Sequence, residues 1–397
     1  MVTQRELAKL AGVSAGTVSN VISGSTPVSE DARSKVLDAI RVLKYQPNLI
    51  ARSLRTNRTH TLGIVVPDLT IPFFPKIVRG AEYAAREHGY FLIVLDSQRS
   101  HATEIDMMAL LRQRVDGILL VTTGGYKWSA ENAAAIASGP PVVCVDRLPE
   151  GLNTDSVCVD DSGAAKLGVK HLLSLGHRRI AIITGPLTLR NEQERLRGYR
   201  RALKDAGLPV HPSLIWSASF EMEDIHAVCQ RGLLRQKCKP TALFATNGVT
   251  GLCALKSLYS LGFTTPDSIA FVTFDELIVE VFFQPRITSV VQPTYEIGHR
   301  AVEVLFDRIV HRGATRVSKV RLPATLVVRD SSCTRISAGA SGSPRTSATL
   351  SEPASATRSF PEYGSRAAPT TARGCLSSSR GSRWMRPHSS VRRLPIE

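Results

Sequence analysis

The sequence contains no apolar run near the roughly 18–20 residues that cross a bilayer, and its opening "MVTQRELAKLAG" lacks the apolar core of an export signal. A membrane-spanning chain is therefore not expected, and the cytoplasm is the expected compartment. Cysteine is scarce and unpatterned: seven residues, an odd number, with no Cys-x-x-Cys pair, fit reduced thiols rather than disulfides or zinc. Cys144 and Cys158 fall in apolar strand patterns and read as small buried residues. The ten histidines are scattered singly, without metal-ligand spacing or a Ser/His/Asp order, and His177 in "LGHRRI" reads as structural. No Gly-x-Gly-x-x-Gly follows the first strand, and Gly185-Pro186 is a poor substitute, which counts against a dinucleotide-binding enzyme. No catalytic residue, metal or cofactor is expected.

What is present is basic and unevenly so. The first 60 residues carry nine Lys and Arg against four Asp and Glu, whereas residues 61–337 hold 32 against 27. A compact basic segment at one end suits a polyanionic partner. With 397 residues and 43% hydrophobic content, the chain can bury cores of its own and should divide into two or three folding units.

Residues 1–46 read as three short helices around one core. Thr3-Gln-Arg-Glu6 is a capping box, in which hydroxyl and carboxylate each satisfy the other's backbone N–H. Leu7, Ala8 and Leu10 supply an apolar face, Gly12 suits a turn with positive φ, and Ser14 is a natural N-cap. The second helix turns Val18, Val21 and Ile22 to one side. A third starts at Ser29 with Glu30 and Asp31 in its first turn, where the helix dipole favours anions, and Val36, Leu37, Ile40 and Leu43 form its stripe. Ala8, Gly12, Val18 and Val21 have the spacing of a helix-turn-helix; the plain alternative is an ordinary helical hairpin.

From residue 61 the pattern changes to short apolar runs joined by helical ones. The strands are "TLGIVVP", "FLIVLD", "GILLVT", "VVCVD", "RIAIIT", "TALFAT" and "SIAFVTFD", with helices around 74–88, 103–114, 130–138, 163–175, 192–206, 223–235 and 249–261. Continuous apolar strands alternating with helices imply α/β lobes with parallel, doubly wound sheets, and about 270 residues is enough for two of them. Beyond about Asp330 the composition shifts to Ser, Pro, Ala and Arg without periodicity, which predicts disorder over 333–397.

Several separate segments, in one order from about Thr3 to Arg329, resemble the lactose/galactose repressor (LacI/GalR) family: "LAGVSAGTVSNVISG", "YQPNLIARSLRTN", "PFF", "HLLSLGHRRIAIITG" and "RLRGYRRAL". The resemblance implies a helix-turn-helix head over 1–46, a hinge helix over 47–59 and a two-lobed, periplasmic-binding-protein-like effector and dimerisation domain over 60–332. It implies a homodimer on a near-palindromic operator in double-stranded DNA, regulated by a small molecule for which a sugar is the expected class.

On that reading Ser14 caps the recognition helix, Ala15 and Asn20 meet base edges, and Gly16 permits close approach or leaves a base weakly specified. Thr17 and Ser19 go to phosphates. In the hinge, Leu54 is the wedge between base pairs, with Asn48, Arg52 and Arg55 beside it on the duplex; a basic linker is the plain alternative.

Ligands of doubly wound sheets bind beyond the carboxyl ends of the strands. Those ends carry Asp68, Asp96, Asp146, Asp160, Asn247 and Asp275, acceptors suited to a polyhydroxylated molecule, while Phe73, Phe74, Phe220 and Phe274 offer flat apolar faces. The resemblance supports Phe74, Arg195, Phe220, Asn247 and Asp275 as pocket positions, with Arg195 as a fork to hydroxyls or a carboxylate. Asp160 is equally suited to capping the next helix, and Phe73 to a core. One departure stands out: the family's usual Asn-Asp after this strand is Asn247-Gly248 here, which puts that helix start in doubt. A cytoplasmic solute-binding protein of the periplasmic type, without specific DNA recognition, is the competing reading, and the basic first 60 residues count against it.

Overall fold

A computed structural model describes residues 2–23, 26–45, 58–235, 239–277, 284–311 and 316–333. All belong to the first of two compact units, Met1–Ser337. Residues 47–57 of the expected hinge helix and 334–397 of the expected Ser/Arg-rich tail lie outside the described residues.

The head is three helices: α1 (Gln4–Ala11), α2 (Ala15–Ser23) and α3 (Glu30–Leu43). The capping box forms as the sequence dictates: the Thr3 N–H donates to Glu6 Oε2 at 2.7 Å and the Glu6 N–H donates to Thr3 Oγ1 at 3.3 Å. Gly12 closes α1 with φ 63°. Ser14 Oγ then accepts the Thr17 N–H at 3.0 Å and starts α2. Leu7, Ala8, Ala11, Val18, Val36 and Ala39 form the shared core. Two expected core positions fail. Leu10 and Leu37 are 52% and 42% exposed, because the inward stripes run through Ala11 and Ala39 instead. Ser29 occupies the N-cap of α3 but makes no side-chain capping bond.

The remainder is two α/β lobes. Lobe 1 holds β1 (Thr61–Val66), α4 (Phe73–Glu87), β2 (Phe91–Asp96), α5 (His101–Leu111), β3 (Gly117–Leu120), α6 (Ala130–Ala137), β4 (Val142–Val145) and β5 (Asp155–Val159). The chain then enters lobe 2 with α7 (Asp161–Ser174), β6 (Ile180–Thr184), α8 (Arg190–Asp205), β7 (Ile215–Ser217), α9 (Met222–Leu234), β8 (Ala242–Ala245), α10 (Gly248–Ser260), β9 (Ala270–Phe274) and β10 (Thr288–Val291). It returns to lobe 1 for α11 (Thr294–Val310) and β11 (Lys319–Leu322), and ends in lobe 2 with β12 (Thr325–Val327).

Sheet order is β11-β5-β4-β3-β1-β2 in lobe 1, all parallel, and β12-β10-β9-β8-β6-β7 in lobe 2, parallel except for β12. The central strands are buried end to end, as sheets covered by helices on both faces require. Three crossings therefore join the lobes: β5 to α7, β10 to α11 and β11 to β12. Glycine sets two close helix contacts. A Cβ at Gly298 of α11 would stand 1.9 Å from the Ile77 carbonyl oxygen of α4, and one at Gly198 of α8 would stand 2.2 Å from that of Ser162 in α7.

His177 has the structural place expected of it, 7% exposed with Nδ1 3.0 Å from Thr241 Oγ1. Cys144 and Cys158 are buried free thiols, and burial pushes the Cys144 thiol up to about 12. Among the described residues, no helix is long and apolar enough to cross a membrane.

Candidate functional site: an interlobe cleft and a helix-turn-helix head

A cleft of about 470 Å³ opens between the lobes at the carboxyl ends of the strands. From lobe 1 come Phe73 and Phe74 at the start of α4, the 123–125 loop after β3, and Asp146-Arg147 after β4. Lobe 2 contributes Asn191, Glu192 and Arg195 of α8, Phe220, and the ends of β8 and β9 with Asn247 and Asp275. Gln292, at the second crossing, also lines it.

Arg195 is 2% exposed and is held from several sides. Its Nε donates to Asp161 Oδ1 at 2.8 Å, its Nη1 donates to the Thr246 carbonyl at 2.7 Å, and its guanidinium lies 3.9 Å from the centre of the Phe274 ring. Two donors of the expected ligand fork are thus spent within the protein. Although burial opposes its charge, Asp161, Asp275, Glu192 and Asp146 together hold its pKa above the ordinary range. Burial pushes the Asp161 carboxyl up to about 7 against the pull of Arg195.

Glu192 braces the lobe 2 wall by accepting from the Gly185 N–H at 3.0 Å, Asn247 Nδ2 at 2.9 Å and the Thr246 hydroxyl. Asn247 Oδ1 accepts the Thr250 N–H at 2.8 Å and caps α10, which begins at Gly248 despite the missing aspartate. Asp275 supplies a carboxylate from elsewhere: Oδ2 accepts the Gly248 N–H at 3.3 Å and Oδ1 accepts Gln292 Nε2 at 2.6 Å.

Asp146 differs from these. Its backbone has φ 62°, its side chain is buried, and its nearest cation, Arg147 Nε, stands 3.7 Å away. Burial raises its pKa, with Arg147 and Arg195 opposing. Arg147 Nε, Asn191 Oδ1 and Gln292 Oε1 are buried and meet no hydrogen-bond partner. Three cleft-lining groups thus await a partner, and such groups are costly to bury unsatisfied.

Of the residues expected from sequence, Phe73, Phe74, Asp146, Arg195, Phe220, Asn247 and Asp275 converge on the cleft. Asp68 does not. Its carboxylate accepts from the Thr70 N–H and hydroxyl and pairs with Arg99 at 2.8 Å, so it folds its own turn, and Arg99 lines the cleft instead. Asp96 likewise accepts the Leu69 and Gln98 N–H groups, at 2.9 and 2.8 Å. Asp160 takes its capping alternative, accepting the Gly163 N–H at 3.1 Å. Phe274 is fully buried beneath Arg195.

Sequence reasoning missed Arg147, Asn191, Glu192, Gln292 and the fully buried Glu104 on α5. Glu104 accepts from Thr122 Oγ1 at 2.8 Å, the Thr123 N–H at 2.5 Å, and the Thr123 and Tyr126 hydroxyls. It thereby fixes the loop whose Gly124 and Gly125, at φ 76° and 78°, face Leu189 and Thr188 of lobe 2 across the cleft. The "TTGGY" run after β3 was the available signal.

In the head, Ser14, Ala15 and Gly16 are exposed, and Thr17, Ser19 and Asn20 are half-buried. Ser14 Oγ is engaged in capping. A Cβ on Gly16 would meet only Ser14 Oγ, at 3.6 Å, so the chain's own packing does not demand glycine there. Asn48, Arg52, Leu54 and Arg55 lie outside the described residues. Among the described residues, no group of His, Cys, Asp and Glu could hold a metal ion.

The comparisons with known proteins agree with this architecture. Residues 59–329 match the model for periplasmic binding proteins and the sugar binding domain of the LacI family, and residues 3–48 match bacterial regulatory proteins of the lacI family. The HTH-type transcriptional repressor PurR of Haemophilus influenzae (strain PittEE) is 33% identical over 334 residues, covering 83% of this chain and 98% of the relative. Among solved structures, the complex of transcriptional regulator CelR with cellobiose is 33% identical with TM-score 0.62, covering 83% of this chain and 100% of that one. The Lac repressor dimer bound to operator and the anti-inducer ONPF is 25% identical with TM-score 0.71, covering 83% and 99%. This chain belongs to the LacI family of bacterial regulatory proteins, with a helix-turn-helix head and a two-lobed, periplasmic-binding-type body.

Proposed function

We propose that the protein is a transcriptional repressor that binds a near-palindromic operator as a homodimer and is switched by a sugar held between the lobes. It works in the cytoplasm, where its DNA partner is. The observation that carries the reading is the union, in one chain, of a recognition helix with a small-faced, exposed start and a cleft in which buried polar atoms lack partners. Ala15 and Asn20 meet base edges, Gly16 lets the backbone approach, and Thr17 and Ser19 set register on phosphates. We assign the head to 1–46, the hinge to 47–59 with Asn48, Arg52, Leu54 and Arg55 on DNA, the effector domain to 60–332 and a tail to 333–397.

In the cleft, Asp146, Asn191 Oδ1, Asp275 and Gln292 Oε1 offer acceptors to ligand hydroxyls, and Arg147 Nε offers a donor. Phe73 and Phe220 supply apolar faces for a ring. Arg195 positions rather than grips, because its guanidinium already ties Asp161 to the end of β8. A ligand that prefers one lobe arrangement shifts DNA affinity by its difference in binding to the two states.

The test is selection of DNA sites by the purified full chain, followed by anisotropy titration of the enriched duplexes. Enrichment of dyad-symmetric sites, with affinity falling steeply for Asn20→Ala, supports the reading. A pool without symmetry, bound equally by the variant, rejects it in favour of a solute-binding protein.

A further inference from the structure

Adjoining the cleft is a smaller recess of about 250 Å³, and the two cavities share Asp146 and Asn191 as lining residues. The recess sits at the lobe crossing, where β5 passes into α7 beside β11. Its inner lining is acceptor-rich. Asp146 is 5% exposed, Asn191 and Ser162 are each 7% exposed, and Asn191 Oδ1 and Ser162 Oγ have no hydrogen-bond partner. The basic side chains of this recess belong to its outer rim. Arg321 is 66% exposed and stands 4.0 Å from Asp160, Lys319 Nζ donates to the Thr154 carbonyl at 2.5 Å, and Arg190 is exposed.

The charges around Asp146 do not balance. It faces Arg147 from its own turn, Asp161 from α7, Glu192 and Arg195 from α8, and Asp275 from the end of β9. Four carboxylates, of which Asp146 and Glu192 are buried and Asp161 and Asp275 half-buried, thus share two guanidiniums. Glu192 and Asp275 are already satisfied by protein donors, and Asp161 by Arg195. Asp146 is not, and its nearest cation lies at 3.7 Å, beyond hydrogen-bond reach. A buried carboxylate in that position either takes a proton or takes a cation.

Resting on the sugar reading above, we infer that the ligand carries a protonated amine, seated against Asp146, Asn191 Oδ1 and Ser162 Oγ where the cleft meets the recess: the ligand is an amino sugar or an amine-bearing glycoside. An ammonium has three donors and no acceptor, which suits a recess lined by these three acceptors; a hydroxyl at the same place supplies one donor and no charge. A carboxylate or phosphate there would meet the excess of negative charge around Asp146 and is rejected. The ring of the same ligand remains in the cleft between Phe73 and Phe220.

The experiment uses the full chain and matched probes: glucosamine, galactosamine and mannosamine, each beside its neutral parent hexose and its N-acetyl derivative, by calorimetric titration and thermal shift. At least one free amine is expected to bind about tenfold or more tighter than its parent, with the N-acetyl form no better than the parent. Asp146→Asn removes the charge yet suits the positive φ, since asparagine tolerates that region. It should bring amine and parent to within about twofold of each other. The advantage should also fade as pH falls and Asp146 takes up a proton.

Parents binding as tightly as amines overturns the inference and leaves the sugar reading standing. An amine preference that survives Asp146→Asn overturns the placement. If no probe of either kind binds a chain that still binds its operator, the sugar reading falls and the amine with it.

Discussion

Replacing Arg195 with methionine is the sharpest test of how the cleft is built. The substitution keeps much of the side-chain volume between α7, α8 and Phe274 while deleting the charge. Asp161 then loses its 2.8 Å donor, the Thr246 carbonyl its 2.7 Å donor, and Glu192 a cation at 3.8 Å. Removing one partner of a buried pair costs about 3–5 kcal/mol, because the other charge stays buried without compensation. At roughly 2–4 °C per kcal/mol for a domain of this general size, the melting temperature should fall by about 6–20 °C.

The loss depends on pH. A carboxyl whose pKa is raised by folding holds its proton in the native state over a range where the unfolded chain has released it. Stability therefore falls as pH rises through that range and levels off above the folded pKa. Asp161 stands at about 7 in the intact protein, and without Arg195 it moves higher still. The deficit of Arg195→Met should then be largest near about pH 8 and less than about half as large near about pH 5.5, where Asp161 is neutral. Adding Asp161→Asn should recover part of the loss at the higher pH. Differential scanning calorimetry at both pH values measures this. A loss under about 1 kcal/mol, within reach of an ordinary surface substitution, or an equal loss at both pH values refutes the reasoning.

Other outcomes follow from the same geometry. Glu104→Ala removes the acceptor shared by the Thr122, Thr123 and Tyr126 hydroxyls and the Thr123 N–H and should cost about 1–3 kcal/mol in urea titrations, since the hydroxyls keep only their contacts with one another and with Ser97; Glu104→Gln should cost clearly less. Leu54→Ala should weaken operator binding by about 1–3 kcal/mol while barely changing affinity for random duplex, measured by anisotropy, because a wedge acts only where the duplex is deformed. Truncation after Ser337 should leave both the melting temperature and operator affinity unchanged, since both family matches end by residue 329 and the last 60 residues form a separate unit.

The fold was legible where one period dominates. Runs such as "TLGIVV" and "RIAIIT" are buried on both faces and were readable as strands. The strand β5 (DSVCV) showed only through the apolar pattern at Cys158, and β7 (IWS), β10 (TSVV) and β11 (KVRL) did not show at all, being short or interrupted by polar residues; these are pieces that complete and edge the sheets. The amphipathic helix α11 also went unread, because the strand and helix rhythm stops at residue 275 and resumes only after the chain has crossed lobes. For the site, a carboxylate after each strand was a sound rule that could not rank its members. Asp68, Asp96 and Asp160 fold their own turns or caps, while Asp146 and Asp275 reach the cleft, and the difference lies in the next few residues of each loop. Glu192 and Gln292 sit inside helical or crossing segments where strand-end reasoning never looks.

The central claim is that operator and cleft ligand are coupled through the two lobes. The measurement is the operator dissociation constant at increasing concentrations of a ligand found by thermal shift, together with the ligand's own dissociation constant with and without saturating operator. The account predicts that both change by one common factor, of roughly 5–150-fold, as reciprocity between two linked sites demands. An operator affinity that stays constant while the cleft fills would contradict it.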